Sequence, residues 1–278
     1  MQPPYDTISE NYILGDRLGI GGMGIVYRAR HIQTGRTVAL KRIRPELETD
    51  EYVRERFLHE AIAASRVSHP RVVRVVDHGQ TDAGRPYIVM NHVVGAPLGR
   101  MLAAQRDVTV ARTARIVSQL LAALAATHAR GVVHADVKSD NLLVDGDDTA
   151  TLIDYGLARI ADHPREADRR TVVSGTLEYL APERLYGAPP TAASDVFGAG
   201  VILYELLTGT RPFRGRTSQE LLACQLAGAA PPPSEVRTDG EVSPALDRIV
   251  ARSLEIDPRT RMSSAALFGA ALDDATGA

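Results

Sequence analysis

Residues 18–29 read LGIGGMGIVYRA, and three of the glycines, Gly19, Gly21 and Gly24, spell G-x-G-x-x-G. The residues just after the last glycine decide the fold. In a dinucleotide-binding turn of this spelling, a helix comes next and its N-terminus takes the phosphates. Here Ile25, Val26 and Tyr27 come next. β-branched and aromatic residues favour an extended chain. The glycines therefore join two strands and form a flap. With no side chains in the way, the flap's backbone N–H groups can approach phosphate oxygens.

The surrounding sequence agrees with a strand-rich beginning. Tyr12 to Leu18 leads into the glycines and Ile25 to Arg30 leads away. Thr34-Gly35 is a turn signal before a third strand, Thr37 to Ile43. Asp50 is placed to cap a helix from Glu51 to about Val67, with Val53, Phe57, Ala61 and Ala64 recurring at helical spacing. Strands are expected near Val72 to Asp77 and Tyr87 to His92. After Gly95 the texture changes. Ala111 to His128 carries Val117, Leu120, Leu121 and Leu124 on one face, an amphipathic helix. Leu142 to Val144 and Thr151 to Ile153 look like a small hairpin. Asp162 to Ser174 is too polar to pack and is expected to be mobile. From Asp195 onward the pattern is helical, and Pro231 to Pro233 mark a surface loop. The change near Val93 to Gly95 predicts a β-rich lobe followed by an α-rich lobe.

Composition removes several function classes. A net charge of −2 argues against a general nucleic-acid binder. One cysteine, Cys224, excludes an intrachain disulfide and makes a cysteine metal site untenable, in keeping with a reducing cytoplasm. The eight histidines show no zinc-binding spacing. The first residues lack the apolar core of a signal peptide. The longest apolar stretch, Val196 to Leu207, is broken by Glu205 and falls short of the ~20 residues a bilayer span needs.

The basic residues are distributed unevenly. Of 32, only Lys41 and Lys138 are lysine. Lys41 closes the apolar run Val38-Ala39-Leu40, and Glu60 on the next helix is its candidate partner. Lys138 sits in HADVKSDN, residues 134–141. There Asp136 can accept a proton from an attacking hydroxyl, Lys138 can reach a transferring phosphoryl group, and Asn141 offers an amide oxygen, a hard ligand for Mg²⁺. Asp140 reads as a cap or surface acid. Asp154, in Asp154-Tyr155-Gly156, comes after an apolar run and is placed to hold a metal. Each residue alone has an ordinary reading as a turn, a strand end or a surface charge. Together and in this order they match phosphoryl transfer, which needs phosphate clamps, a divalent metal and a positioned nucleophile.

Over residues 11–271 the chain resembles the eukaryotic-type (Hanks-type) serine/threonine protein kinases. LGIGGMGIVYRA and RPYIVMNHVVG (residues 85–95) look most like the bacterial branch. The resemblance implies an α+β, bilobal fold. A tail, residues 1–10, precedes an N-lobe at 11–92 with one key helix. A mainly helical C-lobe at 93–272 comes after a hinge near 91–95, and a tail at 273–278 ends the chain. It implies that Leu18, Gly19, Gly21, Gly22, Gly24, Val26 and Ala39 cover ATP. Lys41 holds the α- and β-phosphates and pairs with Glu60. Met90 is the gatekeeper, and backbone groups of Asn91 and Val93 meet adenine. Asp136 is the catalytic base, Lys138 the lysine typical of serine/threonine-specific members, and Asn141 and Asp154 bind Mg²⁺, with Mn²⁺ as a substitute. SGTLEYLAPE (174–183) resembles the substrate-docking segment, with Thr176 near Asp136 and Lys138. Glu183 is expected to pair with Arg261, and Asp195 to brace the catalytic loop. Thr171 and Ser174 are candidate phosphorylation sites.

Two departures stand out. His134-Ala135-Asp136 replaces the usual His-Arg-Asp, which makes this a non-RD member and removes an arginine that commonly grips an activation-loop phosphate. Arg159 is the candidate to supply that contact. Tyr155 replaces the usual phenylalanine, and its hydroxyl needs a polar partner. The implied function is transfer of the ATP γ-phosphate to Ser/Thr of protein substrates in bacterial signalling, in the cytoplasm. Self-association is expected for autophosphorylation; no nucleic acid and no membrane span are expected. The alternatives are a pseudokinase scaffold that binds nucleotide, and a small-molecule phosphotransferase, whose members generally lack the GTLEYLAPE segment.

Overall fold

The computed structural model describes residues 7–8, 10–104, 108–161, 177–227 and 230–277. Thr171, Ser174, Thr176 and the whole of the 162–174 loop fall outside them. The chain divides into two compact units, Met1–Ser68 with Val73–Val94, and His69–Val72 with Gly95–Ala278.

In the first unit β1 (Thr7–Ile8), β2 (Tyr12–Ile20), β3 (Gly24–His31), β4 (Thr37–Ile43), β5 (Val75–Gln80) and β6 (Pro86–Asn91) form one antiparallel sheet in the order β1-β2-β3-β4-β6-β5. The glycines do join two strands. Helix α1 (Glu51–Ser65) starts where Asp50 accepts a hydrogen bond from Val53 N. Strand periodicity sorts the side chains into two layers. Leu14, Ala29, Val38, Leu40, Tyr87 and Val89 bury one face together with Ile8 and Tyr12. Ile43 and Ile88 pack with Val53, Phe57 and Ala61 of α1 on the other. β5 begins three residues later than expected. Val72 instead bridges to Leu152, and Arg71 O accepts from Leu152 N at 2.9 Å, so the start of the apolar run is spent in the second unit.

The second unit holds β7 (Ala96–Pro97), α2 (Leu98–Ala104), α3 (Val110–His128), β8 (Val132–Val133), β9 (Leu142–Val144), β10 (Ala150–Leu152) and β11 (Arg159–Ile160). Then come α4 (Pro182–Leu185), α5 (Ala192–Thr208), α6 (Ser218–Ala227), α7 (Pro233–Val236), α8 (Pro244–Ser253) and α9 (Ala265–Thr276). β9 and β10 make the expected hairpin, with β7 beside β9; β8 pairs with β11. Pro233 is a correction: it opens α7 and is buried. The first turn of a helix has no partner for its N–H in any case, so proline fits there. Helix α5 is the centre, apolar on nearly every side, and buries Val196 through Tyr204. It starts at a capping box of Thr191 and Ser194 and ends at Gly209, φ 70°. Gly198 lets it approach the 134–141 loop, since a Cβ there would lie 2.8 Å from Val137 O. Helix α3 packs against α5, α9 and β10. Among the described residues no helix is long and apolar enough to cross a membrane.

Candidate active site

Strand register gathers one set of candidates on a single face of the first sheet. Val26 pairs with Lys41, Ala39 with Met90, and Gly19 with Val26. Gly24, two residues before Val26, shares that face. A Cβ at Gly24 would sit 2.7 Å from Arg42 O and 3.2 Å from Lys41 Cε, so only glycine fits. At Gly19 and Gly22 a Cβ would meet nothing within 4 Å, and the turn closes through Gly21 N to Gly24 O at 2.8 Å. Leu18 is exposed. Met90 packs against the Ile43–Phe57 layer. Asn91 ends β6, with its N–H on Arg74 O, and Val93 comes after it, half-buried.

Lys41 is 6% exposed and Glu60 3%. Lys41 Nζ lies 2.6 Å and 2.8 Å from the two carboxylate oxygens of Glu60. Helical spacing puts Glu60 on the buried face of α1 with Val53, Phe57 and Ala64. An ammonium at this depth requires a carboxylate, and the ion pair in turn fixes where the lysine ends.

In the second unit the loop 134–141 is held from several sides. Asp195 Oδ2 accepts from His134 N and from His128 Nε2, and Oδ1 from Ala135 N, each at 2.8 Å. Ala135 sits at φ 66°, a left-handed conformation that costs a residue with a Cβ roughly 1–3 kcal/mol. The Asp195 contacts run through backbone N–H groups and are indifferent to the side chain at 135. His134 is fully buried; Nδ1 accepts from Asp136 N at 3.3 Å while Nε2 donates to Ile153 O at 3.1 Å. Those two roles place the ring proton on Nε2 and tie the backbone at Asp136 to the backbone next to Asp154.

Asp136 Oδ2 takes Lys138 Nζ and Asn141 Nδ2, both at 2.8 Å, and Asp136 O takes Asn141 Nδ2 as well. Two sequence-predicted residues therefore meet on the carboxylate of a third. Among the described residues, its other oxygen and the amide oxygen of Asn141 take no hydrogen bond. Asp140 is exposed, as expected of a surface acid. Asp154 has φ 64° and accepts Gly156 N on Oδ1 at 3.2 Å. Glu183 and Arg261 form a two-pronged pair at 2.8 and 2.9 Å. Arg261 also donates to Glu255 O, Ala193 O and Ile256 O and lies over the Phe197 ring. Arg159 lies on β11.

Sequence reasoning gave no role to four residues that shape this loop. They are His128, the His134 ring, Thr127, which meets the Tyr155 hydroxyl, and Ser139, whose hydroxyl donates to Tyr179 OH at 2.8 Å. Tyr179 spends its proton on Glu205 Oε2 at 2.6 Å, and Arg211 bridges Glu205 and Glu178. Burial and the Glu205 carboxylate push the Tyr179 phenol well above its usual range, so it stays a donor. The only signal in the sequence was the Tyr155 hydroxyl itself, which announced a partner without locating it.

The sequence profile of the protein kinase domain family matches residues 12–271. The chain is 38% identical to the serine/threonine-protein kinase pkn3 of Myxococcus xanthus, over 96% of this chain and 50% of that protein. It is 40% identical to PknD of Mycobacterium tuberculosis (93% of this chain, 38% of that protein) and 37% identical to PknB of the same species (93% and 42%). The chain thus spans half or less of the length of these curated relatives. Their similarity runs through both compact units, and the chain belongs to the protein kinase domain family, in its Hanks-type serine/threonine branch of bacteria.

Proposed function

We propose that this domain transfers the γ-phosphate of ATP to serine or threonine hydroxyls of protein substrates, as a non-RD kinase in bacterial signalling. The observation that carries the reading is the Asp136 carboxylate. Lysine and asparagine hold one of its oxygens, and the other is left open to take a proton. The donor set fits Mg²⁺ and a nucleotide. The Asn141 amide is fixed through its nitrogen, so its oxygen is the end presented, and Asp154, whose neighbour Ile153 donates its N–H to Asn141 O, offers a second oxygen. Gly24 keeps the flap's backbone close to Lys41 without a Cβ between them.

In this reading Asn141 and Asp154 hold the metal, which when bound neutralises charge on the phosphates. Lys41, aimed by Glu60, clamps phosphate, and the flap from Leu18 to Val26 supplies N–H donors. Ala39, Met90, Asn91 and Val93 receive the base. Asp136 orients the substrate hydroxyl and accepts its proton, and Lys138 meets charge on the transferred group. Asp195 keeps the loop in register, while Glu183 and Arg261 anchor the segment that carries Thr176. The lobes are taken as 11–92 and 93–272. Autophosphorylation between copies and action in the cytoplasm, where ATP is available, belong to the same proposal.

The test is transfer of labelled γ-phosphate from Mg-ATP to a generic basic protein, with the labelled sites mapped by mass spectrometry. The parent is expected to label serine and threonine, and Lys41→Met and Asp154→Asn to abolish labelling. Variants that label as well as the parent defeat the reading. Nucleotide binding with no transfer by the parent would mark a scaffold instead.

A further inference from the structure

Tyr155 introduces one polar atom into a buried place, and the structure gives that atom a partner. The residue is 1% exposed and its hydroxyl lies 2.9 Å from Thr127 Oγ1, on the last turn of α3. Thr127 is fully buried and donates its only proton to Ala123 O at 2.8 Å. The phenol must then be the donor of the Tyr155–Thr127 bond. The ring edge rests on His134, with centroids 4.8 Å apart and planes at 66°.

The residue before it is under strain. Asp154 has a Cβ and a φ of 64°, a backbone state that persists only when neighbours over-determine it. The turn after it is closed by Gly156 N on Asp154 Oδ1 and Ala158 N on Tyr155 O at 3.0 Å. The Tyr155 side chain ties it to the rest of the unit, seated on α3 at one end and on the 134–141 loop along its edge.

We infer that Thr127 is a positioning residue: its hydroxyl latches Tyr155 in place and so holds the Asp154 carboxylate in the orientation that receives the metal. The inference rests on the reading of Asp154 as a metal-holding acid, and its structural half can be measured without catalysis. Four variants separate a latch from plain packing. Thr127→Val keeps the shape and leaves a buried phenol proton without an acceptor. Thr127→Ser keeps the acceptor. Tyr155→Phe removes the donor but leaves Thr127 its bond to Ala123 O. Thr127→Val with Tyr155→Phe removes both partners, which is far less costly than orphaning one.

The first measurement is amide hydrogen exchange over residues 150–161. Exchange at Gly156 and Ala158 is expected to quicken about tenfold in Thr127→Val, and to return most of the way in Thr127→Ser and in the double variant. The second is phosphate transfer as a function of Mg²⁺. Thr127→Val is expected to raise the Mg²⁺ requirement and lower kcat about tenfold with the protein-substrate KM unchanged, and the double variant to recover most of both. Parent-like exchange in Thr127→Val, or a double variant no better than the single one, overturns the latch. Faster exchange with an unchanged Mg²⁺ requirement overturns its role in holding Asp154. A parent that transfers no phosphate defeats the kinase reading, while the exchange arm still decides whether the latch exists.

Discussion

The glycine turn of the first unit and the 134–141 loop of the second are built on opposite principles. The turn is defined by what it lacks. Gly19 and Gly22 have open space around them, and Gly24 is forced by the close approach of Arg42 O. The loop is defined by what crowds it: a carboxylate on two backbone N–H groups, a buried imidazole on two more backbone groups, and a residue with a Cβ held at positive φ. Where backbone donors meet a ligand, removing side chains suffices. Where a carboxylate has to sit at one angle, several independent bonds must agree, because each alone is weak in net terms.

The largest effect is expected at the centre of the loop. Asp136→Asn removes the proposed proton acceptor while keeping the shape, and kcat should fall by about 10²–10⁴ with nucleotide affinity intact. Steady-state rates and calorimetric nucleotide binding on the same preparation check both halves. Asp195→Ala attacks the bracing instead. It leaves one buried and one part-buried backbone N–H group without acceptors, at roughly 1–3 kcal/mol each. Denaturant unfolding should show a loss of at least about 2 kcal/mol, and a loss under about 0.5 kcal/mol, the scale of an ordinary surface change, would show that the loop holds itself.

On the turn, the contrast predicts a split between neighbouring glycines. Gly24→Ala must displace backbone and should cost ~1–3 kcal/mol, whereas Gly22→Ala should stay within ~0.5 kcal/mol; thermal or denaturant unfolding of the two variants decides it. Equal costs would erase the difference between a forced glycine and a free one. The smallest effect concerns Thr171 and Ser174. Asp195 holds the loop through backbone atoms, and the proposed non-RD reading of Ala135 expects no dependence on a phosphate in that segment. Turnover of the Thr171→Ala, Ser174→Ala double variant should match the parent's. A fall beyond about tenfold, 1.4 kcal/mol in barrier, refutes the non-RD reading.

Local chemistry was legible in the sequence. Strand preference after Gly24 separated this glycine turn from a helix-bound one, and the two lysines stood out because arginine fills every other basic position. Asp50 announced the start of α1, whereas Glu60 alone read as a surface acid and is instead buried against Lys41. Errors fell where a local signal competed with a distant partner. Val72 reads as a strand start, and it is drawn instead to Leu152.

The sequence by itself determined which residue types are present, in what order, and which face of each helix or strand they occupy, since these follow from short-range sterics and a fixed repeat. Only the tertiary structure decided that Asp195 grips His134 and Ala135 from 61 and 60 residues away, that Thr127 meets Tyr155 from 28 away, and that Arg261 meets Glu183 from 78 away. Nothing local selects such pairs. A buried charge or hydroxyl must find a partner, and which one it finds depends on how the whole core packs.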